Sequence, residues 1–583
     1  MADKVLVFGD DTRSFLTIAR SLGRRGLSVH VAPTDFSSAA LRSRYIAKTH
    51  VLPALVHDGT DWTSAVEELL KVEHFDLVIP CTDRSLLPLN VHRHRFRDFA
   101  RLAIPEPEHI EILFDKQRTR EVAATLGVNL AEAVYSAEYK NAEDIFFRLG
   151  TPVVVKPCRS VSVDALHRQE LVRIAETPDE LERAVQDRKP GSYFFEAFFP
   201  GSGLGISVLS DSGEIIQAFE HHRIHQAAQG GSSAYRVSAP LSPELLAVCK
   251  KMVSRLGYTG VAMFEFRRNS ATGAWILLEV NARPWGSMPL SVSAGVDFPY
   301  AWYQLLVNRN RLEQAAYRTP VYGRNLDLDV AFVAARVAKM TEWRDRAVFL
   351  ADWSFGFTRV LTGREKLDSL ALDDPAPAFA ELGSLLSRVF GACWRRIPGQ
   401  QRVRRAVARA RLRFALKAAT RAGKPPSIAF VCYGNICRSA FAEHAMANAL
   451  ASLPDRVLVR SAGTYQIDGR LSPDEAMAAA RRHGVDLAAH RSRRVTMDLL
   501  NSTSILIAFD QSNVRALKAQ YPRIPCPVIL LGSLIEIPDR KGEIRDPFGG
   551  EPALFDRVFG AIRQGIDVVC SYVHETGSTE TRP

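Results

Sequence analysis

Residues 431–439 read Val-Cys-Tyr-Gly-Asn-Ile-Cys-Arg-Ser, and this stretch decides the fold of the C-terminal part of the chain. A strand-like apolar run, Ile428 to Cys432, leads into it, and a helical pattern from Ala440 to Leu450 follows it. Strand, loop and helix in this order bring the backbone N–H groups of the loop together beside the positive end of the helix. The stretch therefore predicts a phosphate-binding loop in an α/β domain.

The loop carries the residue types that phosphoryl transfer needs. The potential that attracts a phosphate also favours the thiolate form of Cys432, which makes its sulfur a candidate nucleophile. Arg438 can donate two parallel hydrogen bonds to phosphoryl oxygens. Asp546 opens the turn Asp-Pro-Phe-Gly and is the candidate acid for the leaving group. The alternatives are a buried inert thiol at Cys432 and an ordinary turn aspartate at Asp546.

The Cys-x-Gly-Asn-Ile-Cys-Arg-Ser motif and the late Asp-Pro-Phe-Gly together resemble the low-molecular-weight protein tyrosine phosphatase family, over about residues 427–572. Ser-Ala-Gly-Thr from residue 461, His-Arg-Ser-Arg from residue 490 and Asp-Gln-Ser-Asn from residue 510 extend the resemblance. It implies a four-stranded parallel sheet and no cofactor. It also implies that the substrate is a phosphotyrosine protein or an aryl phosphate.

The same resemblance implies a role for each loop residue. Cys432 would form a phosphocysteine, Arg438 would hold the phosphate, and Asp546 would act as general acid and then as base. Asn435 and Ser439 would order the loop and assist the thiolate.

Further side chains bear on the substrate and on regulation. Tyr465 and Phe548 stand where the family places the aromatic walls of its cleft, and Ile436 in place of threonine favours phosphotyrosine over phosphoarginine. Cys437 could form a reversible disulfide with Cys432. Arsenate reduction needs further reactive cysteines near residue 510, and the sequence has none between Cys437 and Cys526.

The N-terminal region alternates short apolar runs with amphipathic stretches. Lys4 to Gly9, Ser28 to Ala32 and Asp76 to Pro80 are strand-like, and Ser14 to Arg24 is helical, which predicts a parallel α/β sheet. The first turn lacks the Gly-x-Gly-x-x-Gly fingerprint, so NAD is not predicted. Five further strand patterns lie between residues 109 and 320, beginning at Thr151, Tyr193, Gly205, Val261 and Trp275.

The region from 109 to 320 also carries side chains that suit a magnesium nucleotide. Lys116 and Lys156 can reach phosphate oxygens, and the segment around Glu196 offers hydrogen-bonding groups and aromatic rings to a purine. Residues two apart on a strand face the same side. Hard oxygen ligands that suit Mg²⁺ stand near the ends of two strands: Glu265, Glu279 and Asn281. A solvated strand end is the alternative for the acidic pair.

This layout, which ends in Glu-Val-Asn-Ala-Arg-Pro-Trp-Gly-Ser at 279–287, resembles the ATP-grasp superfamily over nearly all of residues 1–385. The resemblance implies that Arg283 orients an acyl phosphate, which an amine or thiol attacks after ATP has phosphorylated a carboxylate. The implied ligand sets are Lys116, Lys156, Glu196 and Phe198 for ATP, and Glu265, Glu279 and Asn281 for Mg²⁺.

One segment departs from the pattern of that superfamily. Many relatives carry a glycine-rich lid after the Lys-Pro pair, whereas residues 158–168 of this chain contain no glycine. This difference puts closure of a lid in question. Gly230 to Ser233, which follows three histidines and an arginine, is a candidate substrate loop.

The excess positive charge of the 583-residue chain is concentrated in one tract. Residues 395–424 contain eleven Lys and Arg and no Asp or Glu, which equals the net charge of +11. A helical stripe runs through this tract along Val403, Val407, Ala410 and Phe414. A solvated linker helix and peripheral contact with an anionic membrane are the leading interpretations, whereas contact with nucleic acid is not expected.

These patterns predict an α/β protein of four parts. They are a pre-ATP-grasp parallel-sheet domain (1–108), an ATP-grasp domain (109–325), a helical and partly basic linker (326–426), and a Rossmann-like four-stranded phosphatase domain (427–575). Eight scattered cysteines, no signal peptide and no long apolar run favour the cytoplasm, with peripheral attachment at the inner membrane face as an option.

Two functions fit this organisation. The first is a bifunctional enzyme, in which an ATP-grasp carboxylate–amine ligase is fused to a phosphatase. The second is a phosphatase regulated by a nucleotide-binding ATP-grasp module that does not catalyse ligation.

Overall fold

The structure is a computed structural model, and its two compact units are Met1–Leu385 and Leu386–Pro583. The predicted linker is divided between these units. The structure describes residues 3–53, 55, 59–166, 169–186, 188–226, 233–314, 316–394, 400–423, 425–451, 457–465, 468–521, 523–537 and 542–577. Among these residues, we find no helix with the length and apolar character needed to cross a membrane.

The first unit begins with the predicted parallel sheet, whose strand order is β3-β2-β1-β4-β5. Its apolar runs are buried on both sides, as the sequence of a parallel sheet covered by helices requires. The predicted helix Ser14–Arg24 has the observed bounds. The elements are β1 (Lys4–Phe8), α1 (Ser14–Arg24), β2 (Ser28–Ala32), β3 (Ile46–Thr49), α2 (Thr60–Glu73), β4 (Leu77–Pro80), α3 (Asp83–Val91), α4 (Arg93–Phe96), β5 (Arg101–Leu102) and α5 (Pro107–Leu113).

A small antiparallel sheet follows, with the order β6-β9-β7-β8. Two of its strands, β7 and β9, were predicted from Thr151 and Tyr193 onwards, and they pair with each other. The elements are α6 (Lys116–Thr125), β6 (Ala133–Tyr135), α7 (Ala142–Leu149), β7 (Val153–Pro157), β8 (Arg173–Ala175), α8 (Pro178–Val185) and β9 (Tyr193–Ala197).

The third sheet has seven strands in the order β14-β13-β10-β11-β12-β15-β16, antiparallel except for β15 and β16. In its register Glu265 pairs with Glu279, so the two carboxylates share one face of the sheet. The elements are β10 (Ser202–Asp211), β11 (Glu214–Gln226), β12 (Ser233–Ala239), α9 (Pro243–Leu256), β13 (Gly260–Arg268), β14 (Trp275–Asn281), α10 (Met288–Ala294), α11 (Phe298–Asn308), β15 (Tyr322–Arg324), α12 (Leu326–Lys339), α13 (Trp343–Gly356), α14 (Thr358–Leu361), β16 (Glu365–Leu367) and α15 (Ala376–Trp394).

The segment after residue 326 belongs to the first unit up to its end at Leu385. Strand β16 extends the seven-stranded sheet, and the buried Arg236 and Asp368 side chains form an ion pair of 2.5 Å. Arg20 on α1 forms a second buried pair, of 2.9 Å, with Asp374. Residues 326–385 are therefore part of the fold of the first unit, whereas the sequence predicted a linker over residues 326–426.

The second unit contains a four-stranded parallel sheet in the order β18-β17-β19-β20. This confirms the predicted fold class. The helix Gln400–Arg421 packs on this sheet and on the last helix, Pro552–Gly577. The elements are α16 (Gln400–Arg421), β17 (Ser427–Cys432), α17 (Arg438–Ala449), β18 (Leu458–Gly463), α18 (Asp474–Arg482), α19 (Met497–Asn501), β19 (Ile505–Ala508), α20 (Gln511–Gln520), β20 (Val528–Leu530) and α21 (Pro552–Gly577).

Helix α16 is the described part of the basic tract, and it contributes to the core of the second unit. Leu412 and Leu416 are fully buried in one cluster with Phe430 and Ile566. The stripe predicted from Val403 to Phe414 lies on the opposite face of the helix and is exposed. Residues 395–399 and 424 of the tract lie outside the described residues.

Candidate functional sites

The phosphate-loop geometry is imposed by two local features. Asn435 adopts a left-handed conformation, with φ of 51°, which is uncommon for non-glycine residues and which asparagine tolerates better than most. Gly463 on β18 lies against the loop, and a Cβ there would be 2.6 Å from the carbonyl oxygen of Tyr433. Glycine at this position therefore allows the loop to close against the neighbouring strand.

The Cys432 sulfur lies at the carboxyl end of β17 and is surrounded by donors. The backbone N–H of Asn435 donates to it over 3.3 Å, and the hydroxyl of Ser439 lies 3.0 Å away. Asn435 Nδ2 in turn donates to Ser439 Oγ (2.9 Å) and to Ser461 Oγ (2.7 Å). These contacts fix the direction of the Ser439 hydroxyl and stabilise negative charge on the sulfur.

Arg438 begins α17 with its guanidinium buried between two carboxylates. Its Nη1 lies 2.5 Å from Asp510 Oδ2, and its Nη2 lies 2.5 Å from Asp546 Oδ2. Burial opposes the charge, but Asp546, Cys432 and Asp510 outweigh burial and raise the pKa of Arg438. Its Nε is buried without a hydrogen-bond partner among the described residues, which leaves a donor for a ligand oxygen.

Asp546 and the aromatic rings form the open side of this site. The Asp546 side chain is 45% exposed, so a substrate oxygen can approach it. Phe548 is exposed, and its backbone N–H donates to Asp546 Oδ1 over 3.3 Å. The ring of Tyr465 lies 5.4 Å from that of Tyr433, and both rings suit an aryl group.

Three residues of this site received no role from the sequence. Asp510 follows β19 at the carboxyl edge of the parallel sheet, and this position directly after a predicted strand is the sequence signal that could have identified it as a site residue. Tyr433 stands inside the motif. His490 lies 2.9 Å from the Asn435 carbonyl oxygen, and burial lowers its pKa.

Cys437, the predicted disulfide partner of Cys432, is also buried, and burial raises the pKa of its thiol, so the thiol stays protonated near neutral pH.

The predicted magnesium ligands of the first unit come together at the ends of β13 and β14. Asn281 Nδ2 donates to Glu265 Oε1 over 3.1 Å and to Glu279 Oε1 over 3.2 Å. Lys116 Nζ lies 3.6 Å from Glu279 Oε2 and donates to Ser160 Oγ over 2.7 Å. Carboxylate and amide oxygens are the donors that Mg²⁺ prefers, so this set fits the ion chemically.

The two carboxylates of this cluster have opposite pKa shifts. Burial raises the pKa of Glu265. Burial also opposes ionisation of Glu279, but Lys116, Asn281 and Lys156 outweigh it and lower the pKa of Glu279. Arg223 Nη2 lies 2.7 Å from Glu265 and was not predicted, because its partner lies on another strand.

The remaining residues of the predicted ATP site lie in ion pairs or against a cation. Glu196 is buried and pairs with both Lys156 and Arg120. The Arg267 guanidinium lies 5.2 Å from the centre of the Phe198 ring.

Arg283 pairs with Asp83, the first residue of α3 in the N-terminal sheet region. Burial works against the charge of Arg283, and Asp83 outweighs it, so its pKa is raised. Asp83, Lys116, Ser160, Glu279 and Arg283 line one pocket, so the first sheet contributes to this site.

Two other predicted features lie partly outside the described residues. The segment after Pro157 is described except for residues 167–168, and its Ser160 contacts Lys116. Residues 230–232 of the candidate substrate loop are outside the described residues. His221, which precedes that loop, is fully buried, and neither of its ring nitrogens has a hydrogen-bond partner among the described residues.

The second unit thus places Cys432 and a buried Arg438 on one loop, and the first unit groups two carboxylates and an amide beside Lys116. The family model for the low molecular weight phosphotyrosine protein phosphatase matches residues 427–578. Low molecular weight protein-tyrosine phosphatase A of Mycobacterium bovis is 30% identical over 158 residues, covering 26% of this chain and 93% of the relative. A probable phosphatase of Ralstonia solanacearum, EpsP, is 28% identical over 141 residues, covering 24% and 91%.

Through its second unit, the chain belongs to the low molecular weight phosphotyrosine protein phosphatase family and is an enzyme. In the first unit, the family model "ATP-grasp in the biosynthetic pathway with Ter operon" matches residues 195–326. This match confirms the predicted ATP-grasp resemblance. N5-carboxyaminoimidazole synthetase of Staphylococcus aureus is a similar solved structure, with a TM-score of 0.44, 15% identity, and coverage of 59% of this chain and 88% of that one.

Proposed function

We propose that the second unit hydrolyses phosphotyrosine-type monoesters through a phosphocysteine intermediate. The observation that carries this proposal is the Cys432 sulfur within 3.3 Å of the Asn435 N–H and 3.0 Å of the Ser439 hydroxyl, on the loop that holds Arg438. In the first step the sulfur attacks phosphorus, and the bond from phosphorus to the phenol oxygen breaks. Arg438 holds the phosphoryl oxygens, and Asp546 gives its proton to the departing oxygen.

The second step removes the phosphate from the sulfur. Asp546, now a carboxylate, takes a proton from a water molecule, whose oxygen attacks phosphorus. The bond from phosphorus to sulfur breaks, inorganic phosphate leaves, and Cys432 returns to its thiolate form. The step needs no cofactor. Asn435 and Ser439 keep the thiolate hydrogen-bonded in both steps.

Aromatic side chains favour an aryl phosphate as the substrate. Tyr433 is 47% exposed and Phe548 is 62% exposed, and both lie next to catalytic residues in sequence. A phosphotyrosine ring could pack against them, whereas phosphoserine carries no ring for such contacts. The physiological substrate is accordingly a phosphotyrosine protein.

Hydrolysis of p-nitrophenyl phosphate tests this proposal. Wild-type protein should release p-nitrophenol, and Cys432→Ser should abolish the release because the hydroxyl is a far weaker nucleophile. Cys526→Ser is the matched control, since it removes a thiol away from the phosphate loop, and it should keep full activity. Activity retained by Cys432→Ser, or none in folded wild-type protein, would refute the proposal.

For the first unit we propose Mg-ATP binding and activation of a small-molecule carboxylate, followed by ligation to an amine. The support is the match to an ATP-grasp family model and the cluster of Glu265, Glu279 and Asn281 beside Lys116. Bound Mg²⁺ would neutralise charge on the triphosphate. Lys116 and Lys156 would bind phosphate oxygens, and Glu196 and Phe198 would contact the nucleoside. Arg283 would orient the acyl phosphate.

Calorimetry with the full-length protein tests nucleotide binding. Lys156→Ala and Glu279→Gln should each weaken Mg-ATP binding, and Lys140→Ala, which removes an exposed lysine, should not. ADP release that depends on both a carboxylate and an amine supports ligation. A phosphatase rate that changes with Mg-ATP alone supports the second candidate, a regulatory nucleotide-binding module. No binding by folded protein would contradict both.

We also propose a cytoplasmic location, because the Cys432 chemistry requires a reduced thiol. Its finer part, attachment at the inner membrane face, depends on the basic helix α16.

A further inference from the structure

Helix α16 has two apolar stripes on opposite faces. The inner stripe, formed by Ala408, Leu412, Ala415 and Leu416, is buried in the core of the second unit. The outer stripe is exposed: Val403 by 50%, Val407 by 50% and Phe414 by 76%. The core therefore accounts for the inner stripe and leaves the outer stripe without a structural role in the described part of the unit.

Cations border the outer stripe on both sides. At 100° per residue, Arg404 and Arg411 lie along one edge, and Arg413 and Lys417 lie along the other. The helix from Gln400 to Arg421 contains no acidic residue. Two acids pair with cations at its margins: Glu536 with Arg405 at 2.8 Å and Glu575 with Arg413 at 3.6 Å.

We propose that this face of α16 docks the protein on an anionic lipid bilayer, through acyl-chain contact with Val403, Val407 and Phe414 and headgroup contact with Arg411 and Lys417. Charge complementarity selects this occupant. An apolar stripe between two rows of cations is the arrangement by which a helix lies in a membrane interface.

A protein partner fits this face less well. A standard protein interface uses roughly 20 to 30 residues on each side, whereas the outer stripe offers three large apolar side chains and Ala410. A groove lined by Val403, Val407, Arg411, Val528 and Leu530 opens beside the stripe and extends the apolar surface along the same edge. The bilayer can follow this shape because lipids rearrange around it.

The docking face and the phosphate loop belong to the same compact unit. Leu412 and Leu416 pack in the same cluster as Cys432 and Phe430. Docking would therefore hold the phosphatase site at the membrane surface and raise its encounter rate with phosphoproteins at that surface.

Vesicle sedimentation with the full-length protein tests the proposal. Wild-type protein should pellet with phosphatidylcholine vesicles containing about one third phosphatidylglycerol, and not with pure phosphatidylcholine. Arg411→Gln combined with Lys417→Gln should weaken binding about 25-fold, since each cation near an anionic surface is worth about fivefold. Phe414→Ser should weaken it about tenfold through the lost apolar contact.

Matched controls separate binding through this face of α16 from nonspecific effects of positive charge and exposed apolar surface. Arg481→Gln combined with Arg557→Gln removes two exposed cations from other helices of the second unit. Leu372→Ser removes a side chain that is 96% exposed in the first unit. Both controls should bind as the wild type does, and all variants should keep wild-type hydrolysis of p-nitrophenyl phosphate, which reports folding.

Several results would overturn the proposal. They are equal binding to neutral and anionic vesicles, binding that survives both α16 variants, and no binding at low ionic strength. Concentration-dependent sedimentation without lipid, abolished by Phe414→Ser, would assign the face to a second copy of the chain. Binding of an acidic phosphopeptide instead of vesicles would assign it to substrate recognition.

Discussion

The proposed general acid, Asp546, can be tested by replacing it with asparagine. Asparagine keeps the shape of the side chain, and its oxygen can still accept from Arg438 Nη2, which lies 2.5 Å from Asp546 Oδ2. The side chain is 45% exposed, so the substitution disturbs no core packing. What is lost is the proton for the departing oxygen, and such catalysis is worth about 100- to 10,000-fold. The barrier should rise by about 2.7 to 5.4 kcal/mol.

The assay is the burst of phenol release from a series of aryl phosphates in rapid-mixing experiments. The burst reports formation of the phosphocysteine, so it separates the acid role of Asp546 from its role in the second step. The loss should be small for p-nitrophenol, whose oxyanion leaves readily, and should grow with the pKa of the leaving phenol, reaching the full range for phosphotyrosine.

Asp510→Asn is the matched control. Asp510 Oδ2 also lies 2.5 Å from an Arg438 nitrogen. Asp510 Oδ1 caps α20 by accepting the Asn513 N–H over 2.8 Å, and the side-chain oxygen of asparagine can accept the same hydrogen bond. Its loss should be the same for every leaving group, because it positions Arg438 and transfers no proton. If Asp546→Asn also gave a uniform loss across the series, Asp546 would not be the acid.

Other predictions concern stability and the nucleophile. Burial lowers the pKa of His221 in the first unit and of His490 in the second, so the unfolded chain binds the extra proton first as pH falls. Each unit should therefore lose stability below about pH 6.5, by up to about 1.4 kcal/mol per pH unit. Urea unfolding of wild type and His490→Asn at pH 7.5 and 5.5 measures the contribution of His490. Leu412→Ala should destabilise the second unit by about 2 to 5 kcal/mol, and an unchanged unfolding midpoint would show that α16 is not part of its core. Ser439→Ala should slow alkylation of Cys432 by iodoacetate and reduce kcat about 10- to 100-fold, because a hydrogen bond to a charged group is lost; an unaltered rate would remove Ser439 from the mechanism.

Local patterns were sufficient for the elements and for residues close in sequence. The helix from Ser14 to Arg24 follows from its apolar periodicity, and the loop from Cys432 to Arg438 follows from its position between strand and helix. Glu279 and Asn281 could be placed on one face because a strand has a period of two.

Helix α16 shows where periodicity was insufficient. Both of its stripes have helical spacing, and the outer one carries the β-branched Val403 and Val407 and the only aromatic ring of the helix, Phe414. Hydropathy therefore favoured the stripe that the fold leaves exposed. The inner stripe is selected by Phe430 and Ile566, with which Leu412 and Leu416 pack, and no local pattern in the helix encodes those partners.

Long-range ion pairs were missed for a related reason. Arg283 and Asp83 belong to different sheet regions of the first unit, and Arg223 meets Glu265 across the seven-stranded sheet. Arg283 and Glu265 were predicted as site residues, but nothing in the sequence indicated Asp83 or Arg223 as their partners. Only the folded arrangement shows that removing one partner would leave a poorly solvated charge beside the proposed nucleotide site.

Gly463 also matters for transplanting this catalytic loop into another protein. The loop motif is contiguous, so it could be grafted as a single segment. Its curvature, however, depends on a strand that supplies no catalytic atom and approaches closely only because it lacks a side chain at one position. A recipient scaffold would need a glycine at the corresponding place on the adjacent strand. The functional unit for protein engineering is therefore the loop together with its neighbour.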